Sequence, residues 1–237
     1  MENKVVDVLE SQMHYIEEGS GDPILFLHGI PISSHVWPNV IPHLSTLGRC
    51  IAVDLIGFGK SGKPDIEYSI TDHIRYIEAF IQALHLERIT LVMYGWGSIM
   101  GFNYAMHNQS HCKGLVFYES YIRPVTQEDF LLPMHGLLGS SSDKPLQTYL
   151  QELPLDNNIT NKLIDAYSNL LQKSQLPKLM IYSVPGLITS IATVMWAKEH
   201  LSNLESIEIG ENDPVMMGES ISIWLQAIEQ ACTTRNA

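Results

Sequence analysis

Few side chains in this sequence combine reactive chemistry with a place at the end of an apolar run. Glu119 closes Lys113–Glu119, a run of the kind that forms a strand buried on both faces. A strand-end carboxylate beneath a covering segment is partly desolvated and can serve as a general base. The alternative is a glutamate held by backbone N–H groups or paired with Arg123. Tyr94 ends Ile89–Tyr94 and could assist as a weak acid. His35, Trp37, Tyr94 and Tyr121 place four amphipathic rings near strand ends, which suits an aromatic or extended apolar ligand. Each such ring is as readily packed in a core. Ser98 lies a turn into a helix, where a hydroxyl more often bonds a backbone carbonyl than reacts. Asp54 follows another apolar run and is placed to cap the turn Gly57–Gly62. The ten methionines fit a pliable core or lid as well as a pliable site. Cys50, Cys112 and Cys232 are odd in number, widely spaced and without zinc-ligand spacing, so they read as reduced, mostly buried thiols. Neither metal nor cofactor is expected.

These residues hang on an alternation of strands and helices. Lys4–Leu9 and Gln12–Glu17 flank a polar turn and predict an N-terminal hairpin. Ile24–His28, Arg49–Asp54, Ile89–Tyr94, Lys113–Glu119, Lys178–Ser183 and Leu204–Ile209 are short continuous apolar runs. Between them the spacing predicts helices over Ser34–Leu44, Ser69–Leu84, Gly97–His107, Ser190–Leu201 and Gly218–Ala231. That order implies right-handed crossovers and a doubly wound, mostly parallel α/β sheet. The alternation fails between Glu119 and Pro177, where Pro124, Pro133, Pro145, Pro154 and a GSSSD run break up short helical pieces. Material inserted after a strand's C-terminal end sits over the crevice where such sheets bind ligands, so about 120–176 reads as a short helical lid.

Composition removes several function classes. A formal net charge of −12 argues against polyanionic partners, and no basic stripe suits nucleic acid. No stretch approaches the roughly 20 apolar residues of a membrane span. The charged N-terminus carries no run suited to a signal peptide, so a cytoplasmic protein is expected.

Three segments carry a family likeness: HGIPISSHVWPNVIPHL (28–44), CIAVDLIGFGKSGKPDIEYSITDHIRYIEAFIQAL (50–84), and LVMYGWGSIMGF (91–102) with KGLVFYESYIRP (113–124). Together they resemble the haloalkane dehalogenases and the coelenterazine luciferases derived from them. Weaker similarity continues through LPKLMIYSVPGL (176–187) and the C-terminal helix. The resemblance implies one α/β-hydrolase domain over 1–237 with the lid inserted.

It also implies which parts of the chemistry are missing. The family's nucleophile is an aspartate on a sharp strand-to-helix turn before Trp-Gly; the matching position here is Gly95. Its base is a histidine after the last strand, but the last of the ten histidines is His200, and Gly210-Glu211-Asn212-Asp213-Pro214 is short and carries none. Trp96 of the halide site is kept, while Ile30 stands where the family often has asparagine. Glu119 matches the acid that orients the histidine. The backbone N–H groups of Ile30 and Trp96 match the oxyanion hole, and His28 matches a residue that steadies the oxyanion loop.

The leading reading is therefore a repurposed enzyme that works without covalent catalysis. Proton transfer, isomerisation, elimination or cyclisation of a small organic molecule would use Glu119 and Tyr94, with a pocket among His28, Ile30, His35, Trp37, Gly95, Trp96 and Tyr121 under the lid. A non-catalytic small-molecule-binding protein or pseudoenzyme partner is the alternative, and a hydrolase with an unrecognised nucleophile ranks third. Homodimerisation stays open.

Overall fold

The computed structural model describes residues 1–125, 143–151, 158–184, 186–210 and 213–235. Eight strands form one sheet: β1 (Glu2–Val8), β2 (Ser11–Glu18), β3 (Pro23–Leu27), β4 (Arg49–Val53), β5 (Ile89–Gly95), β6 (Cys112–Ser120), β7 (Lys178–Tyr182) and β8 (Leu204–Glu208). Their order is β1-β2-β4-β3-β5-β6-β7-β8. β1 and β2 form the expected antiparallel hairpin, β2 joins β4 antiparallel, and every later pairing is parallel.

Strand alternation divides the core in two. Leu25, Leu27, Leu91, Met93, Leu115 and Phe117 face α1 (Ile70–Ala83), α2 (Gly97–His107) and α4 (Ile159–Lys173), whose Phe80, Phe102 and Tyr167 fill that side. Val194 and Ala197 of α5 (Ile191–His200) complete it. Phe26, Ala52, Val92, Val116 and Ile181 face the other way, onto Trp37, Leu44 and the Ile221 and Trp224 rings and branches of α6 (Pro214–Arg235). The doubly wound arrangement thus follows from central strands that are apolar on both faces.

Ser34–Leu44 differs from the helix its spacing predicts. Only two 3₁₀ turns form there, Ser34–Val36 and Ile41–His43. Pro38 and Pro42 lack the N–H that a continuous helix needs, and a proline ring clashes with the preceding turn. The last helix starts at Pro214, ahead of the expected Gly218, because proline suits a first helical position and Asp213 Oδ1 accepts the N–H groups of Val215 and Met216 at 3.1 and 2.9 Å.

Of the expected lid, 126–142 and 152–157 lie outside the described residues. Two of its helices are described. α3 (Lys144–Gln151) reaches the 57–68 loop, where Thr148 Oγ1 donates to the Glu67 carbonyl at 2.7 Å. α4 lays Tyr167 on Phe102 of α2, with ring centroids 5.6 Å apart. Cys50 and Cys112 are free and buried, and burial pushes both thiols up to about 12; the Cys232 side chain lies outside the described set.

Candidate functional site

The turn from β5 into α2 lies at the centre of the sheet's C-terminal edge. Gly95 has φ +53°, the left-handed region that glycine enters without the Cβ penalty. Ser98 Oγ donates to the Gly95 carbonyl at 2.6 Å and accepts the Tyr121 N–H at 3.0 Å. The hydroxyl therefore locks the turn to the end of β6, a structural task that leaves it no nucleophilic one. A Cβ on Gly97 would lie 2.6 Å from the Leu27 and His28 carbonyl oxygens, so the absence of a side chain there lets α2 start against the end of β3. This brings the 28–30 loop beside Gly95: a Cβ at 95 would lie 3.4 Å from Gly29 Cα and 3.8 Å from Ile188 Cδ1.

His28 steadies that loop. Its Nε2 accepts the Leu55 N–H at 3.0 Å, which leaves Nδ1 to donate to the Gly29 carbonyl at 2.6 Å. Burial lowers its pKa to about 4, so the ring is neutral in one tautomer. It is fully buried and lines no cavity described here, contrary to its expected place in the pocket. Asp54 does cap its turn, accepting the Lys60 N–H at 2.9 Å. It also binds the Ser34 N–H at 2.7 Å and His14 Nδ1 at 2.8 Å. Desolvation would raise the Asp54 carboxyl, but these donors outweigh it and hold it below the usual range.

Glu119 occupies a β-bulge. Tyr94 pairs with Tyr118 and Gly95 with Ser120, so Glu119 is passed over by the ladder and takes φ +46°. That conformation is strained for a residue with a Cβ and re-aims the side chain. Glu119 Oε2 accepts the Ile188 N–H at 2.5 Å and the Thr189 N–H at 2.9 Å, while Ser120 N–H donates to Thr189 Oγ1 at 3.0 Å. Of the two sequence readings, the glutamate held by backbone N–H groups is the one these bonds describe.

Tyr94 does not share that environment. Strand alternation turns its ring to the α6 side of the sheet, where it stacks on Tyr118 at 5.6 Å and 22°. With His35, Trp37, Pro214 and Met217 these rings line a cavity of about 430 Å³. Ile30, Trp96 and Tyr121 belong to the opposite core, so Trp37 is separated from Trp96 by the sheet. The single pocket expected among these residues divides accordingly. Trp37, His35 and Tyr94 gather on one side, while Ile30, Trp96, Tyr121 and Gly95 pack around the turn. The cause is the alternation of β5 and β6, which a reading of strand ends alone does not resolve.

Residues 22–138 match the family model described as alpha/beta hydrolase fold. A haloalkane dehalogenase of Mesorhizobium japonicum is 32% identical, over 97% of this chain and 93% of its own length. The chain belongs to the haloalkane dehalogenase family. Another haloalkane dehalogenase, from Agrobacterium fabrum, is 29% identical over 92% of this chain and 89% of its own. The structure of a haloalkane dehalogenase DbeA loop variant from Bradyrhizobium elkanii superposes with a TM-score of 0.91 at 27% identity, covering 99% of each chain.

Within that family frame, three participants escaped the sequence reading. Ile188 and Thr189 hold Glu119 through main-chain groups, which leave no trace in residue type. Met217 lines the α6-side cavity from a helix that begins earlier than its periodicity suggests. The signal available was Asp213-Pro214, a helix-start pair.

Proposed function

We propose that this member of the haloalkane dehalogenase family performs no hydrolytic dehalogenation and works by binding a small molecule without covalent chemistry. The observation that carries this reading is Gly95 at the left-handed turn between β5 and α2. Displacement of a halide by an enzyme nucleophile needs a side-chain atom at that turn to attack carbon, and glycine offers only hydrogen. The rest of the apparatus agrees. No histidine follows His200, and the Glu119 oxygen that would steady one instead takes two backbone N–H groups. Nucleophile, base and orienting acid act as a unit, so losing two of them removes nearly all the rate.

The test is incubation with 1,2-dibromoethane, reading bromide release and intact mass. Neither bromide nor a covalent adduct is expected from the unmodified protein. Gly95→Asp should give at most one ester per chain and no turnover, because no histidine is present to activate water. Sustained bromide release by the unmodified chain would overturn the reading.

A second reading, proton transfer by Glu119 in an isomerisation, elimination or cyclisation, has its own support: a strand-end carboxylate only 4% exposed and held rigidly at a bulge. It is the weaker, since the lone pairs of Oε2 are already engaged and Tyr94 faces the other side of the sheet.

A further inference from the structure

The cavity on the α6 side of the sheet has features of its own. Its floor is the stacked Tyr94–Tyr118 pair, and Trp37, Met217 and Pro214 form its walls. None of the described residues lining it is Asp, Glu, Lys or Arg. At about 430 Å³ it falls in the range of small-molecule sites. Trp37 is 3% exposed, and among the described residues its indole N–H has no hydrogen-bond acceptor. The cavity therefore meets the Trp37 ring and not its indole N–H, which is shut away from it. Pro214 and Met217 bring the start of α6 to the cavity.

We infer that this cavity binds an uncharged, flat aromatic molecule, stacked on the Tyr94–Tyr118 pair and packed beside the Trp37 ring. Aromatic faces favour offset stacking with another ring, and a wall without charge disfavours an ion stripped of its water. Trp96 and Ile30 belong to the core on the opposite face of the sheet. The Tyr94 ring borders Gly29, which abuts Gly95, so the cavity adjoins the turn that carries chemistry in the family without including its side chains. The inference rests on the binding reading only in taking the chain to hold a small molecule.

Coumarin is a suitable probe, being neutral and planar. The indole N–H signals of the four tryptophans report the site directly, with Trp37→Phe identifying the Trp37 signal. Titration should shift the Trp37 signal and leave Trp96 unmoved. Tyr94→Ala should weaken binding about tenfold and Tyr94→Phe little, since the ring face and not the hydroxyl supplies the stacking. Coumarin-3-carboxylate should bind at least about tenfold more weakly than coumarin, because no Lys or Arg is among the described lining residues to meet its charge. Unchanged Trp196 and Trp224 signals show that the Tyr94 variants remain folded. A shift at Trp96 in place of Trp37, no shift at any tryptophan, or equal affinity for the carboxylate would overturn the inference. Those failures leave the absence of dehalogenation standing, whereas bromide release from 1,2-dibromoethane would overturn that reading and not this one.

Discussion

Glu119 carries the consequences of a local irregularity. Because the β5–β6 ladder skips it, its carboxylate reaches across to the loop after β7 and satisfies two backbone donors there. Removing the acceptor would strand both N–H groups, each at a cost of about 1–3 kcal/mol when buried. Glu119→Ala should therefore lower unfolding stability by about 2–4 kcal/mol in a denaturant titration. Glu119→Gln keeps an oxygen but loses the charge assistance, and about 1 kcal/mol is expected. Equal stability of all three proteins would show that the clasp contributes nothing. The two alternatives for Glu119 were legible in the sequence, but the choice between them was not, since a bulge depends on the register of a neighbouring strand. Ser98 is the opposite case: a small hydroxyl a turn into a helix already suggests a bond to a carbonyl, and it makes one to Gly95.

At the level of elements, the strands were the most readable, because a buried parallel strand must be a short, continuous apolar run. The 34–44 segment was misread because its apolar spacing suits a helix, while Pro38 and Pro42 veto the hydrogen bonds. A different tie between elements was invisible in advance. Lys178, fully buried at the start of β7, donates its three protons to the carbonyls of Ser174, Leu176 and Ser202, at 2.8, 2.9 and 2.9 Å. It thereby pins the end of α4 and the approach to β8 onto one strand. Burial alone pulls its pKa down to about 8, yet three carbonyl dipoles oppose that pull, and we take the ammonium form as the native one at neutral pH. Lys178→Met, similar in length, should cost about 2–4 kcal/mol by leaving three acceptors unfilled, measured by chemical denaturation. A loss below about 0.5 kcal/mol would mean water replaces the ammonium without penalty.

Over the whole molecule, no helix among the described residues is long and apolar enough to cross a membrane, and acid is expected to destabilise the fold. His28 and His73 are both fully buried, and desolvation lowers each to about 4 from an ordinary value of 6.5. The unfolded chain therefore takes up protons between those limits while the native state does not. Stability is at its full value above about pH 6.5 and falls as the pH drops toward 4, by up to about 3 kcal/mol per histidine. His73→Leu should flatten part of that slope, measured as unfolding free energy against pH. An unchanged slope would place the acid sensitivity elsewhere. The overall α/β architecture was readable from the alternation of runs, yet the division of the aromatic residues between two faces of the sheet was not, because it follows from three-dimensional pairing.

The room beside Gly95 has an evolutionary meaning. A Cβ there would meet only ordinary contacts at 3.4 and 3.8 Å, so the turn has room for a side chain, although φ +53° would hold it strained. A single nucleotide change turns a glycine codon into an aspartate codon, and that half of the loss lies one mutational step from reversal. The other half does not. No point substitution lengthens the 209–213 link between β8 and α6, where a histidine would have to stand. On the function proposed above, a return to dehalogenation needs an insertion and a substitution together, and neither would serve alone. On that same proposal, the short link acts as a ratchet against such a return.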